Sequence, residues 1–233
     1  MFSKLIFQAA FGLLFVFTGF SQTKPGENYS EIFSTDYQRA LQFVKREPDS
    51  AIRLQGLNPK EVIAIVFPEI IRYRSIQDKI ETFALESLYV QYGKEYANFS
   101  IGEFQIKPAF AERIEIDFLK LFGEKELFSQ LRITSSDTIQ NPPSRSKRLR
   151  RMRDKIGMTN YLCLFFKIME TRYPTWVSTE EKIKFFACAY NCGYEKSKEE
   201  IEKYLTKKFF YVGLSLASAR YCYADVSAYY FNQ

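Results

Sequence analysis

The stretch NPKEVIAIVFPEIIRY, Asn58 to Tyr73, decides the fold. Asn58 has a side chain suited to capping a helix, and Pro59 fits the first helical position, where no backbone N–H is needed. Val62, Ile63, Ile65, Val66, Phe67, Ile70 and Ile71 then put apolar groups nearly all round the cylinder, which predicts a buried helix. Pro68 should bend it. Glu69 follows directly, a carboxyl among apolar neighbours. Arg72, one turn on, is placed to pair with it.

Outward from this helix the pattern stays helical. A second helix is predicted over Ser75 to Tyr92, carrying Glu81 and Glu86 and stopped by Gly93. Phe99 to Pro108 reads as a short turn, with Gly102 allowing close backbone approach and Pro108 as a stop. Helices are expected over Ala109–Phe122, Glu124–Leu131 and Thr159–Tyr173, and from the Ser178 cap to Tyr190. A charged helix is expected over Ser197–Lys208, and Tyr229-Tyr230-Phe231 as a docked tail. Thr134–Ser146 reads as a loop. The fold class is therefore mainly α, with room for at most a small β-hairpin, at residues 93–106.

Ahead of this block, Met1–Ser21 has the form of a secretory leader. Lys4 is its positive start, Leu5–Phe17 its apolar run, and Gly19-Phe20-Ser21 a small-x-small cleavage site. The apolar run is short for a bilayer span. Residues 22–35 are polar and read as a loose lead-in, followed by a short helix over Asp36–Lys45. The expected organisation is a leader at 1–21, a lead-in with a short helix at 22–56, and one domain at 57–233.

Composition narrows the chemistry. The 233 residues contain no histidine. That excludes His-based triads and His-based metal sites, and leaves Asp, Glu, Lys, Tyr or Cys for acid–base work. The net charge of +6 sits in one place. Residues 145–155 hold seven cations against Asp154 alone, so the remainder of the chain sums to zero. A nucleic-acid-coating protein is disfavoured. The segment is expected to form an amphipathic helix with Leu149, Met152 and Ile156 inward and a solvated basic face. That face could hold an anionic polymer or a membrane surface. In an exported chain Cys163, Cys188, Cys192 and Cys222 are free to form disulfides, with three connectivities open. Pairing of Cys163 and Cys222 with the other two would tie the fold best. Their spacing lacks the paired short loops of a four-cysteine metal site, and no metal or cofactor is expected.

Three segments in order resemble a known family. Gly102-Glu103-Phe104-Gln105-Ile106-Lys107-Pro108 resembles the Gly-Leu-Met-Gln-Ile-x-Pro motif of soluble lytic transglycosylases and goose-type lysozymes. Ala189-Tyr190-Asn191-Cys192-Gly193 is similar to their Ala-Tyr-Asn-Ala-Gly motif, and Thr159-Asn160-Tyr161-Leu162 to the segment preceding it. The likeness covers about residues 57–195, with Glu103, Phe104 and Cys192 as departures. It implies a helical lysozyme-like domain that cleaves peptidoglycan glycan strands between N-acetylmuramic acid and N-acetylglucosamine. One glutamate would serve as general acid and base, with an apolar pocket keeping it protonated. Lytic transglycosylase is the first reading. A hydrolytic muramidase, which in its inverting form needs a second carboxylate to activate water, and a non-catalytic wall-binding or assembly protein are the alternatives.

Two residues compete for the acid. Glu86-Ser87 has the family's spacing to the turn, sixteen residues before Gly102. Glu69 has the helix context, ten residues after Pro59, and is favoured here; pairing with Arg72 would oppose its acid role. Glu81 is a third option. Tyr73, Ser100, Gly102, Gln105, Tyr190 and Asn191 are the expected substrate contacts.

Overall fold

The computed structural model describes residues 27–46, 48–73, 75–138, 140–212 and 219–233; the leader read at 1–21 and the start of the lead-in lie outside them. In chain order the helices are α1 (Tyr29–Ile32), α2 (Ser34–Arg46), α3 (Asp49–Leu54), α4 (Pro59–Arg72), α5 (Ser75–Tyr92) and α6 (Pro108–Phe122). They continue with α7 (Glu124–Leu131), α8 (Pro142–Arg153), α9 (Lys155–Arg172), α10 (Thr179–Cys192), α11 (Lys198–Glu202) and α12 (Tyr223–Phe231). A 3-10 turn covers Ser135–Thr138, and β1 (Lys208–Phe210) pairs antiparallel with β2 (Tyr221–Cys222). The protein is mainly α.

Helix α4 is the centre. The Asn58 side chain accepts from the Lys60 N–H at 3.0 Å, satisfying one of the free donors at its start. Every residue from Val62 to Ile71 is buried, and the helix runs on through Pro68. Each Val, Ile or Phe buried there contributes about 1.5–3 kcal/mol relative to exposure. Helices α2, α10 and α12 pack round it. The terminal aromatics dock as expected, the Tyr230 ring stacking on Phe67 with centroids 4.0 Å apart.

A second layer is formed by α5, α6, α8 and α9. Helices α8 and α9 meet at a corner with a single residue between them. There Asp154 accepts from the Gly157 N–H at 2.8 Å and caps α9. A Cβ on Gly157 would lie 2.1 Å from the Arg151 carbonyl oxygen, so no larger residue fits without parting the two helices.

Several expectations are corrected. The two-stranded sheet is built by the C-terminal segment, not by residues 93–106, where one isolated bridge joins Ile101 and Ile106. The lead-in is not loose once it enters the described residues, because Tyr29 and Phe33 are buried against Tyr221, Tyr229 and Phe210. The loop over 134–146 is cut short at Pro142, where α8 starts under an Asn141 cap. Ile156 is half exposed rather than inward, since Asp154 ends α8 and restarts the helix in a new direction. The charged helix after Ser197 ends at Glu202, and the chain then turns into β1. All four cysteines are free thiols, not disulfides. Cys163, Cys188 and Cys222 are buried, and the Cys222 thiol donates to the Leu205 carbonyl at 3.0 Å.

The basic segment departs furthest from expectation. Arg145 and Arg148 are buried, so the face is only partly solvated. Arg145 donates to the Val90 and Gln91 carbonyls at 2.8 and 2.7 Å, satisfying the open end of α5. Arg148 is fully buried and forks onto Glu115 on α6, with Nη2 2.7 Å from Oε2. Its Nη1 takes the Tyr89 hydroxyl at 2.9 Å, while the Tyr161 hydroxyl donates to Glu115 at 2.6 Å. Burial alone would lower the Arg148 pKa; hydrogen bonding to and the charge of Glu115 raise it well above the usual value. A charge this deep is tolerated only because nearly every donor has a partner.

Candidate functional site

Glu69 lies on the last full turn of α4. Its burial is inherited from the apolar run around it, yet its carboxyl opens onto a cleft of about 410 Å³. A carboxylate left alone at such depth costs several kcal/mol. Here it is held. Arg72 Nη2 reaches Oε2 at 2.5 Å, and Asn191 Nδ2 donates to Oε1 at 3.2 Å. The Tyr223 hydroxyl, from α12, donates to the Ile65 carbonyl at 3.4 Å and also reaches the Glu69 carboxyl. The two partners within the pair differ in freedom: the Glu69 side chain is 4% exposed and that of Arg72 39%.

The Phe99–Pro108 turn forms the wall facing Glu69. Ile101 and Ile106 close it with two backbone hydrogen bonds of 2.9 and 3.1 Å. Between them Gly102 adopts φ 67°, which glycine accepts readily, and Gln105 adopts φ 52°, which a side-chain-bearing residue rarely does. Two contacts hold Gln105 there. Its own Nε2 donates to the Gly102 carbonyl at 2.8 Å, and the Tyr190 hydroxyl donates to the Phe104 carbonyl beside it at 2.7 Å. Strain of this kind persists where the surroundings enforce it, and here it aims the glutamine side chain at the cleft.

Helix α10 supplies the third wall. It ends at Cys192 with Gly193 at φ 102°, so Tyr190, Asn191 and Cys192 all reach the opening. Tyr190 packs edge-on against Phe110 and Phe165, with ring centroids 4.9 and 5.4 Å away. Burial, and then the charge of Glu69, push its phenol pKa well above the ordinary value. It is a hydrogen-bond donor and not a base. Burial lifts the Cys192 thiol to about 11, against a smaller opposing pull from Lys196.

The structure thus brings Glu69, Ser100, Gln105, Tyr190 and Asn191 to one cleft. Gly102 stands behind the wall, where a Cβ would meet Met158 Sδ at 3.4 Å. Tyr73 caps the C-terminus of α4, its N–H donating to the Glu69 carbonyl at 2.8 Å, and does not line the cleft. Glu86 is elsewhere, ion-paired with Arg153 in a separate groove between α5 and α8. The Glu81 side chain lies outside the described residues.

Sequence reasoning missed Lys94, Asn98, Lys107, Arg113, Tyr194 and Glu195, all at the cleft, and Tyr223 behind Glu69. Arg113 had a signal: it lies four residues from Ala109 on the face of α6 that follows the turn. Tyr194 and Glu195 continue the α10 motif by two residues. Tyr223 had none, since only the folded chain carries α12 back to α4. Among the described residues no group of three or more His, Cys, Asp or Glu side chains could hold a metal ion, and no helix is long and apolar enough to cross a membrane. Compared with protein-family models, curated proteins and solved structures, the chain gives no match.

Proposed function

We propose that the chain is an exported, lysozyme-like peptidoglycan-cleaving enzyme, a lytic transglycosylase in which Glu69 is both general acid and general base. The observation that supports this is the convergence of one core-embedded carboxyl with Ser100, Gln105, Tyr190 and Asn191 on a single cleft. In the reaction, Glu69 gives its proton to the glycosidic oxygen as the bond from the muramyl C1 to that oxygen breaks. The carboxylate then takes the proton of the muramyl C6 hydroxyl, whose oxygen bonds to C1 and closes a 1,6-anhydro ring. No water is consumed. Asn191 orients the carboxyl, and the turn held by Tyr190 sets the sugar against it. The reading requires bound glycan to draw Arg72 away from Oε2, a movement its half-open position allows, whereupon the buried carboxylate takes up from solvent the proton it then donates.

A second reading rests on Glu195, the other carboxylate at the cleft. As a base for water it would make the enzyme a hydrolase.

The test is digestion of purified cell-wall sacculi, with the released fragments weighed by mass spectrometry. Anhydro ends are expected from the wild type and from Glu86→Gln, and none from Glu69→Gln. Reducing ends that vanish in Glu195→Gln would favour the hydrolase. Sacculus binding without any released fragment would leave a non-catalytic wall-binding protein in which Arg72 permanently occupies Glu69.

A further inference from the structure

The cleft is lined by four cations, Arg72, Lys94, Lys107 and Arg113, against two carboxylates, Glu69 and Glu195. Arg72 is engaged with Glu69. The other three gather on the α6 side, and the fold keeps them there. Lys94 is held from behind, its Nζ 3.3 Å from Glu112 Oε2. Glu112 is itself buried and accepts from the Tyr89 hydroxyl at 2.9 Å, at the edge of the Arg148 network. Lys107 is the residue that starts α6, with extended backbone. Arg113 stands on the same helical face as Ala109, which also lines the cleft, and is exposed.

Lys94 is already offset by Glu112, but Lys107 and Arg113 have no ion pair among the described residues, so positive charge on this wall is left for an arriving anion to meet. A neutral N-acetylglucosamine chain brings no such anion. A glycan carrying carboxylates does, and an arginine at such a site can grip a carboxylate with two parallel hydrogen bonds.

We infer that Lys94, Lys107 and Arg113 form a carboxylate subsite on the α6 wall, through which the cleft selects acid-bearing glycan over neutral glycan. The inference rests on the glycan-cleaving reading above for the sugar, and on the cation cluster alone for the acid. The carboxylates can come from the lactyl ether on the sugar or from the peptide attached to it.

Binding to the double variant Glu69→Gln, Arg72→Gln, which cannot turn substrate over and leaves no released Arg72 to hold the acid, tests this. Three probes are compared by calorimetry: neutral chitotetraose, the alternating muramyl tetrasaccharide without peptide, and the same tetrasaccharide with peptides. At low salt an acidic probe should bind about tenfold more tightly than chitotetraose, and the gap should close at roughly 0.5 M NaCl. A gain already present without peptide assigns the lactyl carboxylate; a gain only with peptide assigns the stem. Arg113→Gln and Lys107→Gln should each weaken the acidic probe about threefold or more and leave chitotetraose unchanged. Equal affinity for all three probes, or equal weakening of all three by Arg113→Gln, would overturn the inference. If the wild type still cleaves sacculi in that event, the enzyme reading stands and the subsite alone falls; if nothing is cleaved and nothing binds, both fall.

Discussion

Asn191 Nδ2 donates to Glu69 Oε1 at 3.2 Å, joining residues 122 positions apart in the chain. The bond fixes one carboxyl oxygen while Arg72 holds the other at 2.5 Å. Removing the amide leaves a buried charge one partner short. Asn191→Ala should therefore destabilise the protein by about 1.5–3 kcal/mol, the range for a hydrogen bond to a charged group. Urea unfolding would measure that. On the proposed glycan-cleaving reading, sacculus clearance by Asn191→Ala should fall by about tenfold or more, because the carboxyl loses its set orientation.

The buried Arg148 network predicts an asymmetry between breaking and replacing. Arg148→Met leaves the buried Glu115 without its fork, and should cost about 3–5 kcal/mol. Adding Glu115→Leu to that variant should restore much of the loss, since the second change removes the stranded charge. Chemical denaturation of the two single variants and the double variant closes the cycle. A double variant less stable than either single one would contradict the account.

Cys192 gives a pH prediction. Its thiol is pushed up to about 11 by burial, so at pH 8 only about one molecule in a thousand carries the thiolate. Alkylation of Cys192 by iodoacetamide at pH 8 should run on the order of a hundredfold slower than for a free thiol, on thiolate fraction alone. The rate should rise about tenfold per pH unit until the thiol's own midpoint. The raised value also has a sign for stability. The folded thiol ionises later than the unfolded one, so this contribution is whole below about pH 8.5 and is lost as the pH climbs to about 11. Peptide mapping by mass spectrometry follows the modification, and rapid labelling at pH 8 would show the thiol to be unshielded.

Much of this arrangement is legible in the residues alone, and the limits have physical causes. The burial of α4 follows from apolar groups on every face of Asn58–Tyr73, and periodicity reports that directly. The turn at Phe99–Pro108 and the end of α10 announce themselves by glycine and proline. What periodicity cannot report is which polar residues the tertiary fold brings indoors. Arg148 looks like any residue of a basic stretch, and its burial depends on Glu115 and Tyr161 arriving from α6 and α9. The strands at 208–210 and 221–222 are too short to show alternation, so their pairing is visible only once α12 is docked. Spacing to the turn points to Glu86 and helix context to Glu69, and only the folded chain sets Glu69 at the cleft with the turn and Glu86 in another groove. Their separation comes from the side of the core each faces.

The corner at Gly157 has a bearing on how this protein can vary. Helices α8 and α9 touch there so closely that a single methyl group would strike the Arg151 carbonyl. Arg148, one turn before Arg151 on α8, reaches Glu115 and Glu112, and Glu112 in turn holds Lys94 at the cleft. A hydrogen atom at residue 157 therefore stands at one end of a chain of contacts whose other end is a wall of the opening. Descendants of this sequence can exchange the residues that greet a ligand and still fold; they cannot exchange that glycine without rebuilding the floor on which those residues stand.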